Sequence, residues 1–89
     1  MRIGMKRFAF VIHSENGLDA RLAGMFIKET IACSGDVRIR AGNKKGNGKM
    51  IFNVLSLRPR KGDSVVVEIE GGHEEEDAQR LMRFAEQNL

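Results

Sequence analysis

The stretch Asn16-Gly17-Leu18-Asp19-Ala20-Arg21-Leu22-Ala23 decides how this chain folds. Asn16-Gly17 is a turn pair, because glycine supplies backbone conformations that other residues resist. Asp19 follows where a helix would begin, and its carboxylate can accept a bond from an unpaired amide of the first turn. Beyond it Ala23, Phe26, Ile27, Thr30 and Ile31 recur at three- and four-residue steps, which puts them on one helix face. Ser34-Gly35 is expected to stop this helix. Ahead of the turn, Arg7 to His13 reads RFAFVIH, dense in strand formers.

The remaining elements follow outward from this centre. Asp36 to Ala41 alternates, with Val37, Ile39 and Ala41 on one side and Arg38 and Arg40 on the other, as a half-solvated strand does. Gly42-Asn43 is a hairpin turn, and Lys44 to Gly48, with two glycines, can only be a weak or edge strand. Met50 to Leu57 is apolar almost all round and reads as a short helix burying Val54 and Leu57; Pro59 then ends it. Ser64 to Glu70 is a strand with Val65, Val67 and Ile69 on one face. Glu74 to Asp77 open a last helix, where negative charge suits the amino-terminal dipole. Its expected buried stripe is Ala78, Leu81, Met82 and Ala85. The order β-α-β-β-α-β-α describes an α+β open-faced sandwich, one sheet face covered by helices and the other wet. A split β-α-β ferredoxin-like arrangement is the rival architecture.

Eighty-nine residues, 42% hydrophobic and 30% charged, make one small soluble domain rather than a disordered chain. No apolar run approaches the ~18 residues that span a bilayer, and no apolar stretch of signal-peptide length follows the charged start. A cytoplasmic location is expected. Cys33 alone cannot form an internal disulfide, and with His13 and His73 distant it makes no metal site. Cys33 therefore reads as a small apolar residue at a helix end, and neither a metal nor a cofactor is expected. His13 and His73 read as ordinary surface histidines, and Ser56 as a capping or solvent-facing hydroxyl. Charge is uneven: residues 1–67 hold thirteen Lys/Arg against five Asp/Glu, whereas residues 68–89 hold two against seven. The basic part can face an acidic partner or a phosphate. A nucleic-acid-binding module is a distant alternative, since Trp and Tyr are absent and the phenylalanines do not interleave with the arginines.

Two stretches carry a resemblance. Residues 16–23, NGLDARLA, resemble the active-site signature of HPr, the histidine-containing phosphocarrier of the bacterial sugar phosphotransferase system, N-G-L-H-x-R-P-A in its common form. Residues 49–62, KMIFNVLSLRPRKG, resemble that family's second helix and the turn after it. Their separation, the chain length and the element order also match. The resemblance implies a single HPr-like domain over residues 1–89, with a four-stranded antiparallel sheet and helices on one face. Three departures stand out. Asp19 occupies the phosphohistidine position, Leu22 the proline position, and Met50 the position of a regulatory serine in many members. Met50 has no hydroxyl and cannot take that modification.

The departures shape the expected function. A helix amino terminus binds anions, so the Ala20 amide and the Arg21 guanidinium would hold a phosphoryl group there. Asp19 can serve as the cap of that helix, paired with Arg21, or as an acyl-phosphate acceptor. Glu15 is its only acidic neighbour in sequence, whereas phosphorylated aspartates usually work beside a cation held by several carboxylates. The resemblance places Leu22, Met25, Met50, Ile51, Phe52 and Leu55 beside this site, as an apolar patch rimmed by Arg21 and Lys28. Such a patch would dock proteins of the phosphotransferase system or a regulator. The expected function is thus a non-canonical HPr-like protein that binds partners without histidine phosphotransfer, with an Asp19 phosphocarrier as the alternative.

Overall fold

The computed structural model describes residues 5–89. Its elements are β1 (Met5–Val11), α1 (Ala20–Ile31), β2 (Asp36–Ala41), β3 (Lys44–Asn47), α2 (Ile51–Leu57), β4 (Ser64–Glu70) and α3 (Glu74–Asn88). The strands form one sheet in the order β1-β4-β2-β3, every neighbouring pair antiparallel. A split β-α-β sheet would hold its first strand inside; here β1 is an edge, and the open-faced sandwich is the fold. The seven elements match the sequence reading in kind and order. β1 begins two residues earlier than expected and ends at Val11, leaving Ile12 and His13 beyond it.

Alternation builds the core. Val65, Val67 and Ile69 of β4 and Val37 and Ile39 of β2 all point to the helical side and are buried. Burying a valine or isoleucine side chain fully stabilises the fold by about 1.5–3 kcal/mol. Against these residues pack Phe26 of α1, Val54 and Leu57 of α2, and Leu81 and Phe84 of α3. Phe26 and Phe84 meet with ring centroids 6.2 Å apart, joining α1 to α3. The buried Thr30 hydroxyl donates to the Gly48 carbonyl at 2.8 Å, so it ties α1 to the approach to α2 at no cost of an orphaned polar group. No helix among the described residues is long and apolar enough to cross a membrane.

Several expectations need correction. The buried stripe of α1 is Leu22, Ala23, Phe26 and Thr30, while Ile27 is half-buried and Ile31 is exposed. Leu22 heads that stripe, because it stands four residues before Phe26 and eight before Thr30, on the same helix face. In α3, Met82 is exposed and Phe84 takes the buried place expected of it. Gly35 does not stop α1 through a left-handed conformation. The helix ends at Ile31, and the following chain is captured by the first turn of α3, where Asp77 Oδ2 accepts the Ser34 amide at 3.0 Å. Gly35 is needed for close approach: a Cβ there would sit 2.3 Å from the Gly71 carbonyl oxygen. The cation Arg2, part of the basic balance of the first 67 residues, lies outside the described residues.

Candidate functional site

The loop from Ile12 to Asp19 leads out of β1 and is fixed from three directions. Ile12 exchanges backbone bonds with the turn after α2, donating to Asp63 at 2.9 Å and accepting from Gly62 at 2.8 Å. The amides of His13 and Ser14 both donate to the Leu89 carbonyl oxygen, at 2.5 and 3.0 Å. The Leu18 amide donates to the Pro59 carbonyl at 3.1 Å. Gly17 makes that last contact possible. It sits at φ +69°, and a Cβ on it would fall 2.4 Å from the Pro59 oxygen. Glu15 is held outward by Lys61 at 2.6 Å, away from any shared cation position with Asp19.

This framework delivers Asp19 to the amino terminus of α1 in extended conformation, φ −83° and ψ −177°. Its Oδ1 accepts the Leu22 amide at 2.9 Å, and its carbonyl accepts the Ala23 amide at 2.8 Å as the first bond of the helix. Asp19 is therefore the cap the sequence predicts. The amides of Ala20 and Arg21 lie in the first turn and have no intrahelical acceptor by position. Arg21 is exposed, and its guanidinium reaches along the helix to the Met25 sulfur at 3.4 Å. The expected Asp19–Arg21 ion pair is absent from the ion pairs of the described residues.

The apolar patch is narrower than the sequence suggests. Met50 and Phe52 protrude, 55% and 80% exposed. Met25, Ile51 and Leu55 are half-buried and lean on the core while keeping an open side. α1 packs on α2, but Met25, expected in the patch, lines the hollow between α1 and α3 with Glu29, Arg80 and Phe84. Lys28 is exposed one turn beyond Arg21 on α1. Leu22, expected on this surface, is only 3% exposed and belongs to the core. The Leu22 side chain fills the interior at the third position of α1. Met50 precedes α2 without a side-chain cap. Pro59 and Leu89 are site-building residues that sequence reasoning did not place, because both act through backbone carbonyls.

Comparison with known proteins agrees with this geometry. The chain matches the family described as the PTS HPr component phosphorylation site over residues 6–87. The phosphocarrier protein HPr of Vibrio cholerae is 32% identical over 76 residues, covering 85% of this chain and 89% of that one. The HPr-like protein Crh of Halalkalibacterium halodurans is 32% identical over 72 residues, covering 81% and 86%. The crystal structure of HPr-C-His from Thermoanaerobacter tengcongensis superposes with a TM-score of 0.87 at 32% identity, covering 92% of each chain. With its fold and its sequence both matching these proteins, the chain belongs to the HPr-like phosphocarrier family of the phosphotransferase system.

Proposed function

We propose that this protein is a regulatory, partner-binding member of the family that does not carry phosphate on histidine. The observation that supports this most is Asp19 itself. It stands at the acceptor position, and its Oδ1 is committed to the Leu22 amide. No other histidine takes its place: His13 lies on the loop behind it with its amide bonded to Leu89, and His73 precedes α3 beside Ser34. A carboxylate also places one negative charge where a phosphorylated carrier would hold nearly two, so it imitates that state only in part.

Partner binding rests on the exposed Phe52 and Met50, the half-buried Ile51 and Leu55, and the cations Arg21 and Lys28. A large aromatic ring standing almost free in solvent is poorly explained by folding and well suited to an interface. The partners are proteins of the phosphotransferase system or a regulator of it, and the site of action is the cytoplasm.

Competition tests the reading. The wild-type protein should slow phosphorylation of a histidine-bearing HPr by Enzyme I in a manner overcome by excess HPr, and Phe52→Ala should relieve it. Undiminished phosphorylation at a large excess of this protein, together with no effect on any other partner of HPr in the same assay format, would remove the docking role.

A further inference from the structure

The sheet has a second face, turned away from the helices, and its charge pattern is uneven. The pairing register runs Arg7–Glu68–Arg38 across β1, β4 and β2, and then Ala9–Val66–Arg40–Lys45 across all four strands. In the first row, Glu68 accepts from Arg7 at 2.9 Å, and Arg38 reaches Glu70 at 2.8 Å. Both arginines are neutralised within the chain. In the second row, Arg40 lies directly opposite Lys45. No acidic side chain pairs with either among the described residues, and residues 1–4 contain no Asp or Glu. Like charges directly opposite in a ladder oppose the pairing they sit on. Their row continues into Val66 and Ala9, apolar and at least partly open to solvent. A shallow hollow of about 130 Å³, lined by Arg38, Ile39, Arg40, Lys45, Val66 and Glu68, lies between them.

We propose that this open face, centred on Arg40 and Lys45, docks an extended, carboxylate-rich segment of a protein partner. An arginine fork beside a lysine matches a carboxylate in geometry and charge, and Val66 and Ala9 give an adjoining apolar residue a place to rest. The same face does not suit single-stranded nucleic acid, which needs stacking aromatics. Phe8 and Phe10 are the aromatics of the sheet, and their register with Val67 and Val65 turns them to the helical side. Because the α1–α2 surface lies across the sheet from Arg40, a partner here leaves that surface free. The proposal stands independently of the docking role assigned to Phe52.

The test is a titration of the isotope-labelled full chain with an oligo-glutamate peptide that carries interspersed valines, followed by amide shifts at low salt. Saturable shifts confined to β2, β3 and the centre of β4 are expected, with affinity falling as salt rises. Arg40→Gln/Lys45→Gln should weaken binding at least tenfold and keep the amide spectrum of the fold, whereas Phe52→Ala should leave binding unchanged. Lys45→Glu alone should raise the urea midpoint of the free protein, since it replaces the repulsion with attraction. Shifts centred on Arg21 and Lys28, tighter binding of an oligouridylate on the same amides, absence of saturable binding, or a concentration-dependent dimer abolished by the double substitution would each overturn the proposal.

Discussion

The Oδ1 oxygen of Asp19 lies 2.9 Å from the amide nitrogen of Leu22, and this one bond links the chemistry of the site to the stability of the helix that carries it. The residue we propose stands at the family's acceptor position is also the cap of α1. Asp19→Ala should destabilise the protein by about 1 kcal/mol, the usual worth of a lost cap, and Asp19→Ser should recover most of it. Urea denaturation of the three proteins checks this; an unchanged midpoint for Asp19→Ala would mean that the cap contributes nothing.

Phe52 and Leu22 separate binding from folding. Phe52 is 80% exposed, so Phe52→Ala should move stability by no more than about 0.5 kcal/mol, as expected for surface positions. Its affinity for Enzyme I, read by calorimetry, should fall by about 1 kcal/mol or more, in the range of interface anchors. Leu22→Ala should do the reverse and cost about 2–5 kcal/mol of stability, because the side chain is buried with Ala23 and Phe26.

Gly17 holds the loop before the site against Pro59 with a left-handed backbone. Gly17→Ala adds a Cβ to both a strained φ and a close backbone contact. A loss of about 1–3 kcal/mol is expected for such strain, and hydrogen exchange at Leu18, whose amide donates to Pro59, should speed up.

The Cys33 thiol is buried, and burial pushes its pKa above the usual value of 9.0, with the nearby negative charge of Asp77 acting in the same direction. The folded protein therefore favours the neutral thiol. This stabilisation is complete below the pKa of the unfolded thiol and is lost as pH rises through the higher folded value. Stability of the wild type relative to Cys33→Ala should decline in that alkaline window, and thiol reagents should label Cys33 at the rate of unfolding.

Much of this was legible in the sequence because local rules suffice for it. Alternation in Asp36 to Ala41 and Ser64 to Glu70, the cap at Asp19 and the two glycines of the weak strand after Gly42-Asn43 each carry their own signal. The family resemblance then supplied the four-stranded antiparallel sheet with helices on one face, and the structure its order β1-β4-β2-β3. What escaped depends on distant partners. Leu22 is in line with Phe26 and Thr30 by spacing, and only the structure shows that the stripe is buried from its first turn. Met82 and Phe84 flank the Ala78–Leu81–Ala85 stripe of α3 from opposite sides, and the approach of Phe26 is what buries Phe84. Gly35 looks like a helix stop, yet its reason is the Gly71 carbonyl. Likewise the roles of Pro59 and Leu89 lie in backbone oxygens, which no side-chain pattern reveals. The Arg40–Lys45 opposition requires the register of the hairpin, which the turn Gly42-Asn43 suggests but does not prove.

The central claim is that the scaffold of a phosphocarrier is present and only its acceptor is changed. Intact mass after incubation with Enzyme I and phosphoenolpyruvate tests it most directly. No added phosphoryl group is expected on the wild type, and one on Asp19→His. A stoichiometric, hydroxylamine-sensitive phosphoryl group on the wild type that disappears in Asp19→Ala would contradict it, and would make Asp19 an acceptor in its own right.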